Sequence, residues 1–219
     1  MAGILFIISA PSGSGKSTLV SQLRSMVEGL DFSISYTTRA PRGSEENGRE
    51  YHFTSRAEFE RMIAAGDFLE WAEVFGNYYG TAVAALDHAR EVGKDLLLDI
   101  DVQGAAQVMK KMPQALSIFV LPPSPEVLEK RLRNRSAAEN MTDEVVIKKR
   151  LAAARNELKQ VWDYKYALVN DVLEEAAAEM RSIVLYERGQ NEDAKRVAQS
   201  CRTDAASPKL RAVLSSFDG

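Results

Sequence analysis

Residues 4–28 begin with ILFIIS, a short unbroken apolar run. A turn rich in glycine and serine follows, and then an amphipathic stretch with Leu19, Leu23 and Val27 four residues apart. No other stretch limits the fold so tightly. An apolar run with no alternation suits a strand buried on both faces, as in a parallel sheet. Spacing by four gives a helix over about 16–28 a single apolar stripe. A buried strand feeding a helix through a tight turn is the opening unit of a doubly wound α/β fold.

The rest of the chain repeats the alternation. Strands are predicted at 68–75 (FLEWAEVF), 95–101 (DLLLDID), 116–121 (LSIFVL) and 166–170 (YALVN). Helices are predicted at 82–92, 102–111, 125–134, 143–162 and 172–186, and a short one at 207–217 in an otherwise polar tail. Ser55 opens another helix, with Glu58 placed for a capping box and Gly66 closing it. The expected architecture is a doubly wound parallel sheet with helices on both faces.

The turn after the first strand, APSGSGKST at 10–18, matches the phosphate-binding pattern GxxxxGK[ST], with Ala10 at the position of the first glycine. Gly13 and Gly15 let backbone N–H groups converge on phosphate oxygens at the positive end of a helix. Lys16 supplies charge for the β- and γ-phosphates, and Ser17 a hydroxyl for Mg²⁺. Pro11, Ser12, Ser14 and Thr18 complete the expected site. This motif predicts a nucleoside triphosphate ligand.

Composition narrows the partners. A net charge of −3 leaves no overall basic field for nucleic acid or anionic lipid, so bound anions must meet local clusters. No apolar run is long enough to span a bilayer. One cysteine, Cys201, excludes an internal disulfide, and two histidines, His52 and His88, leave no Cys/His metal cluster. These features point to a cytoplasmic protein without nucleic-acid or membrane partners; oligomeric state is not legible.

A second polar cluster lies at 35–51, SYTTRAPRGSEENGREY. Arg39 and Arg42 offer planar forks for phosphate and Tyr51 an uncharged donor, although arginines in a polar loop are often only solvated. Glu70, amid apolar neighbours in 68–75, needs donors if it is buried. GNYYG at 76–80 reads as a turn presenting Tyr78 and Tyr79. Asp99 and Asp101, two apart, share one face at the end of a strand, where ligands bind in such sheets; Asp101 can equally cap the next helix. Arg131 and Arg135 lie four apart on one helical face, which a solvated basic surface would also explain.

Taken together, SYTTRAPRGSEENGREYHF, FLEWAEVFGNYYG and LLLDIDVQGA resemble guanylate kinases, and the similarity runs from about Gly3 to Glu187. The resemblance implies Mg²⁺-dependent transfer of the γ-phosphoryl group of ATP to GMP or dGMP. Its fold would be a P-loop core (1–34, 86–132, 151–190) with an inserted GMP-binding domain (35–85), a helical lid (133–150) and a polar tail (191–219). By resemblance, Arg39, Arg42, Tyr51 and Tyr79 match the ligands of the GMP phosphate, and Ser35, Glu70, Thr81 and Asp101 the guanine contacts. Asp99, with Ser17, lies near the metal, reaching it through water. Arg131, Arg135 and Arg150 match the lid arginines that act with Lys16 and Arg39 on the transferring group, and Asn170 a residue near the adenine, though a strand-end Asn also forms turns. A ribose bisphosphate phosphokinase of the same fold and a non-catalytic phosphopeptide-binding module are the alternatives. The first needs no guanine reader such as Glu70, and the second no Lys16 and Ser17.

Overall fold

The computed structural model describes residues 3–138 and 143–217, with only the backbone for Arg135, Ala137 and Ala138. In chain order the elements are β1 (Leu5–Ser9), α1 (Lys16–Met26), β2 (Leu30–Phe32), β3 (Tyr36–Thr37), β4 (His52–Phe53), α2 (Arg56–Ala65), β5 (Phe68–Val74), β6 (Asn77–Ala82) and α3 (Val83–Glu91). Then come β7 (Asp95–Asp99), α4 (Val102–Lys111), β8 (Leu116–Leu121), α5 (Pro125–Ala138), α6 (Glu144–Leu158), a 3-10 turn (Lys159–Asp163), β9 (Tyr166–Val169), α7 (Leu173–Glu187), α8 (Asp193–Ser200) and α9 (Pro208–Ser215). The five-stranded order β2-β7-β1-β8-β9 puts β1 in the middle, where its five buried residues require it to be. The β2–β7 and β8–β9 pairings are parallel. The α/β fold expected from the sequence is present.

The chain divides into two compact units. The first comprises Met1–Ile7 and Gly29–Leu116. Here Leu96, Leu97 and Leu98 of β7 are buried, and the Asp95 carboxylate accepts a hydrogen bond from the Ile4 N–H (2.6 Å). The same unit holds a second sheet, β4-β3-β6-β5, in which β3 runs parallel to β4 and antiparallel to β6. GNYYG is not a turn: residues 77–82 form β6, and the β5–β6 hairpin turns at Phe75–Gly76, both at positive φ (49° and 82°). Aromatic and β-branched residues in YYGTA favour a strand once a partner is available, which the turn-like Gly-Asn start conceals.

Helix α2 covers one face of this sheet. Phe59, Met62 and Phe68 form its core, with Tyr36, Ile63 and Tyr78 packed on them, and Phe59 stacks on Phe68 at 4.3 Å. Ser55 caps the helix by accepting from the Glu58 N–H, and Gly66 ends it at φ 75°. Only half of the expected capping box forms, because the Glu58 carboxylate pairs with Arg61 instead (2.8 and 2.9 Å). Edge strand β5 is held by α4: Gln107 exchanges hydrogen bonds with the Trp71 backbone, and Lys111 donates to the Leu69 carbonyl (2.6 Å). This clamps the backbone on both sides of Glu70 and covers an edge that would otherwise be open.

The second unit comprises Ile8–Glu28 and Ser117–Gly219. Helix α1 packs against α7, and β8 is buried along its whole length. Helices α5 and α6 share a core of Leu128, Leu132 and Ala154. Arg133 joins them through ion pairs to Glu129 and Glu144. The helix predicted over 143–162 ends as an α-helix at Leu158 and tightens into the 3-10 turn. Beyond Glu187, α8 is an element the polar sequence did not suggest. Its Ala194 and Ala198 are buried, as is Cys201. Residues 201–203 then line β9: Ala167 donates to the Cys201 carbonyl (2.8 Å) and Thr203 to that of Lys165 (3.2 Å).

Candidate active site

The phosphate loop belongs to the second unit. Gly13 and Gly15 sit at φ 91° and 83°, conformations that residues with a Cβ rarely adopt. The Ser14 N–H closes the turn on the Pro11 carbonyl (3.1 Å), and Ala10 is buried, so the position of the missing glycine accepts a small side chain. Helix α1 starts at Lys16 and has no acidic residue in its first turn, which leaves its positive end suited to an anion. Lys16 is half-buried; Ser17 and Thr18 are exposed.

Two of the expected distal residues come to this loop. The Ser14 carbonyl accepts from Asn170 Nδ2 (2.8 Å) and from Arg131 Nη1 (3.1 Å), while Arg131 Nη2 donates to the Asn170 carbonyl (3.1 Å). Arg150 is buried on α6 and donates to Ser136 Oγ (3.1 Å). The side chain of Arg135 lies outside the described residues.

The remaining candidates lie in the first unit, and sheet register explains their grouping. Glu70 pairs with Thr81, Thr37 with Tyr79 and Tyr36 with Gly80. Continuing the β3–β6 register by one residue sets Ser35 opposite Thr81, and the parallel β3–β4 register sets Tyr51 beside Ser35. Paired residues share a face and side chains alternate, so Ser35, Tyr51, Glu70, Tyr79 and Thr81 occupy one face, with α2 on the other. Alternation alone would put Phe68 and Glu70 together. The bulge between them sends Phe68 into the α2 core and Glu70 to the opposite side. Glu70 is 3% exposed, and the Thr81 hydroxyl is buried without a hydrogen-bond partner. Helix α4 closes in on this face: a Cβ at Gly104 would lie 2.3 Å from Glu70 Oε2. Asp101 is the N-cap of α4, accepting from the Gly104 N–H (2.7 Å).

Arg39 sits among aromatic rings and a carboxylate. Its guanidinium lies 5.2 Å from the Tyr51 ring centroid, and Tyr51 meets Tyr79 edge-on at 6.0 Å. Arg39 is nearly buried and gives Nη1 and Nη2 to Glu45 (2.9 and 3.0 Å), while its Nε is buried without a partner. The Nε/Nη2 edge of a guanidinium is a fork that suits a phosphate, and here the Glu45 carboxylate takes its Nη2. Burial pushes the Tyr51 phenol above its ordinary value, and the nearby Asp99 carboxylate adds to this, so the hydroxyl stays protonated and can donate. The Arg42 side chain is exposed, and its backbone N–H donates to Glu45 (2.8 Å).

Glu45 is the residue that the sequence did not reveal. Burial raises its pKa, but hydrogen bonds from the Arg39 side chain and the Arg42 backbone outweigh that, and the carboxyl sits below its usual range. An acid in a polar loop reads as solvated. Its position three residues after one arginine and six after another was the available signal.

The guanylate kinase family model matches residues 3–187. The chain belongs to the guanylate kinase family. It is 50% identical to a guanylate kinase of Koribacter versatilis over 99% of this chain and 97% of that one. Identity to the guanylate kinase of Dechloromonas aromatica is 49%, covering 84% and 89%. Among solved structures, the guanylate kinase of Anaplasma phagocytophilum superposes with a TM-score of 0.70 at 34% identity, over 88% of this chain and 89% of that one. Like its relatives, this family member is a kinase. No helix among the described residues is long and apolar enough to cross a membrane.

Proposed function

We propose that the chain transfers the γ-phosphoryl group of ATP to GMP, and to dGMP, giving ADP and GDP (or dGDP) in the cytoplasm. The Glu70 carboxylate carries this reading. It is buried beside Thr81 on the face that also holds Tyr51 and Tyr79. Guanine presents N1–H and its exocyclic amine side by side, and one carboxylate accepts from both. Adenine would turn an acceptor toward Glu70. Sites built to satisfy a polar group in this way reject analogues lacking it by roughly 10⁴–10⁵.

In this reading Ser35, Thr81 and Asp101 complete the guanine site, and Arg39, Arg42, Tyr51 and Tyr79 hold the acceptor phosphate. Residues 35–85 act as the acceptor domain and 133–150 as the lid, on a core of 1–34, 86–132 and 151–190. A GMP oxygen attacks the γ-phosphorus of ATP; that P–O bond forms as the bond to the β-γ bridging oxygen breaks, and ADP leaves with the electron pair. A phosphate monoester is largely dianionic near neutral pH, its second pKa being about 6, so no protein base is required. Pro11–Thr18 wrap the donor phosphates. Lys16, Arg131, Arg135 and Arg150 offset charge on the transferring group, and positioning with electrostatic stabilisation accounts for the catalysis.

Mg²⁺ bound to the triphosphate would supply further neutralisation of the phosphate oxygens. Among the described residues no cluster of three or more His, Cys, Asp or Glu could hold an ion alone. The donor set fits an ion carried largely by phosphates and water, with the exposed Ser17 hydroxyl and Asp99, through water, as protein partners. The test is kcat/KM for GMP, AMP and UMP on two variants. Glu70→Ala should narrow the preference for GMP, whereas Arg42→Ala should weaken all acceptors alike. Equal loss of discrimination in both would overturn this division of roles.

A further inference from the structure

We propose that Asn170 is a positioning residue for the phosphate loop, setting the direction in which the Gly15 N–H points. This rests on the donor-site reading given above. Asn170 follows β9 and is 4% exposed; its own N–H is tied to the Leu121 carbonyl (2.8 Å). Its side-chain amide donates to the Ser14 carbonyl at 2.8 Å. A Cβ on Gly15 would come within 2.5 Å of that amide nitrogen, so the side chain lies flush against the loop with no room for water between. A trans peptide is planar, and its C=O and N–H point in opposite directions. Holding the Ser14 carbonyl against Asn170 therefore turns the Gly15 N–H to the other side of the loop, toward the donor phosphates.

Arg131 shares that carbonyl but cannot replace Asn170. Once a triphosphate is bound, a guanidinium prefers a phosphate oxygen to a neutral carbonyl. The neutral amide has no such competing preference and keeps the peptide oriented through the reaction. Asn170 thus acts through the loop, and its effect should not depend on the base of the nucleotide.

Calorimetry with inorganic tripolyphosphate and with ATP tests this on the full chain and on Asn170→Ala. Removing this neutral hydrogen bond, the one left to the Ser14 carbonyl once Arg131 turns to a phosphate, should weaken both ligands by a similar factor, about tenfold. GMP affinity should stay unchanged, which a general loss of structure would not allow. Weakening of ATP with tripolyphosphate unaffected would make Asn170 a base contact and overturn the inference, as would no weakening of either. Failure of the unaltered chain to bind either polyphosphate would overturn the donor-site reading itself. Should the variant not fold, amide exchange on the unaltered chain decides. The Gly15 N–H should exchange freely without ligand and become protected by tripolyphosphate; protection already present without ligand would sink the inference.

Discussion

Replacing Gly104 by alanine puts a methyl group where the Glu70 carboxylate now lies. The added Cβ would fall 2.3 Å from Glu70 Oε2, 2.9 Å from its Cδ and 3.5 Å from Asp101 Oδ1. Close carbon–oxygen contacts sit at about 3.3 Å, so the carboxylate must retreat by about 1 Å. It is the far end of a flexible side chain, and alanine favours the helix more than glycine does, so the stability loss should stay near ~1 kcal/mol. The functional loss should be far larger, since a misplacement of ~1 Å can cost about 10²-fold in rate. Steady-state kcat/KM for GMP and AMP, with melting followed by circular dichroism, checks both parts. A protein melting close to the original but turning over GMP within threefold of it would refute the role of Glu70 as the base reader.

Further outcomes follow from the same geometry. Lys16→Ala should keep the fold and lower kcat by about 10²–10³, measured in a coupled ADP assay. Glu45 has a depressed folded pKa, so its pairing with Arg39 contributes stability that is fully present above the unfolded carboxyl pKa of about 4.3 and is lost as pH falls through the folded value. Urea titrations between pH 3 and 7 should show that acid-side loss, reduced in Glu45→Gln, with stability at pH 7 lower by roughly 1.5–3 kcal/mol. Truncation after Glu187 should lower the melting temperature and promote self-association, since it uncovers the edge of β9 bordered by residues 201–203; light scattering would report it.

Much of this was legible in the sequence for identifiable reasons. Residues 4–28 could be read because a strand buried on both faces is apolar without a break and the loop after it needs particular residues in a particular order. Glu70 could be singled out because a carboxylate amid FLEWAEV is costly unless it has donors. The bulge that aims Glu70 away from Phe68 was not legible, since it is a property of the β5–β6 pairing rather than of either strand. Strand β6 was hidden behind a Gly-Asn start, and the short β3 and β4 are too brief to show a period. Helix α8 escaped because its buried residues are alanines, which mark a stripe weakly. In the 130–135 run, spacing set Arg131 apart but could not show that Arg133 is taken up by Glu129 and Glu144. Glu45 needed the folded loop to be seen at all.

The most direct measurement is a panel of acceptors offered to the unaltered enzyme with ATP and Mg²⁺: GMP, dGMP, AMP, UMP and a ribose bisphosphate, with products separated by chromatography. Guanine reading by Glu70 predicts stoichiometric ADP and GDP from GMP, ready turnover of dGMP, and kcat/KM for AMP and UMP lower by about 10⁴ or more. Comparable turnover of AMP or UMP, or faster turnover of the ribose bisphosphate than of GMP, would contradict it.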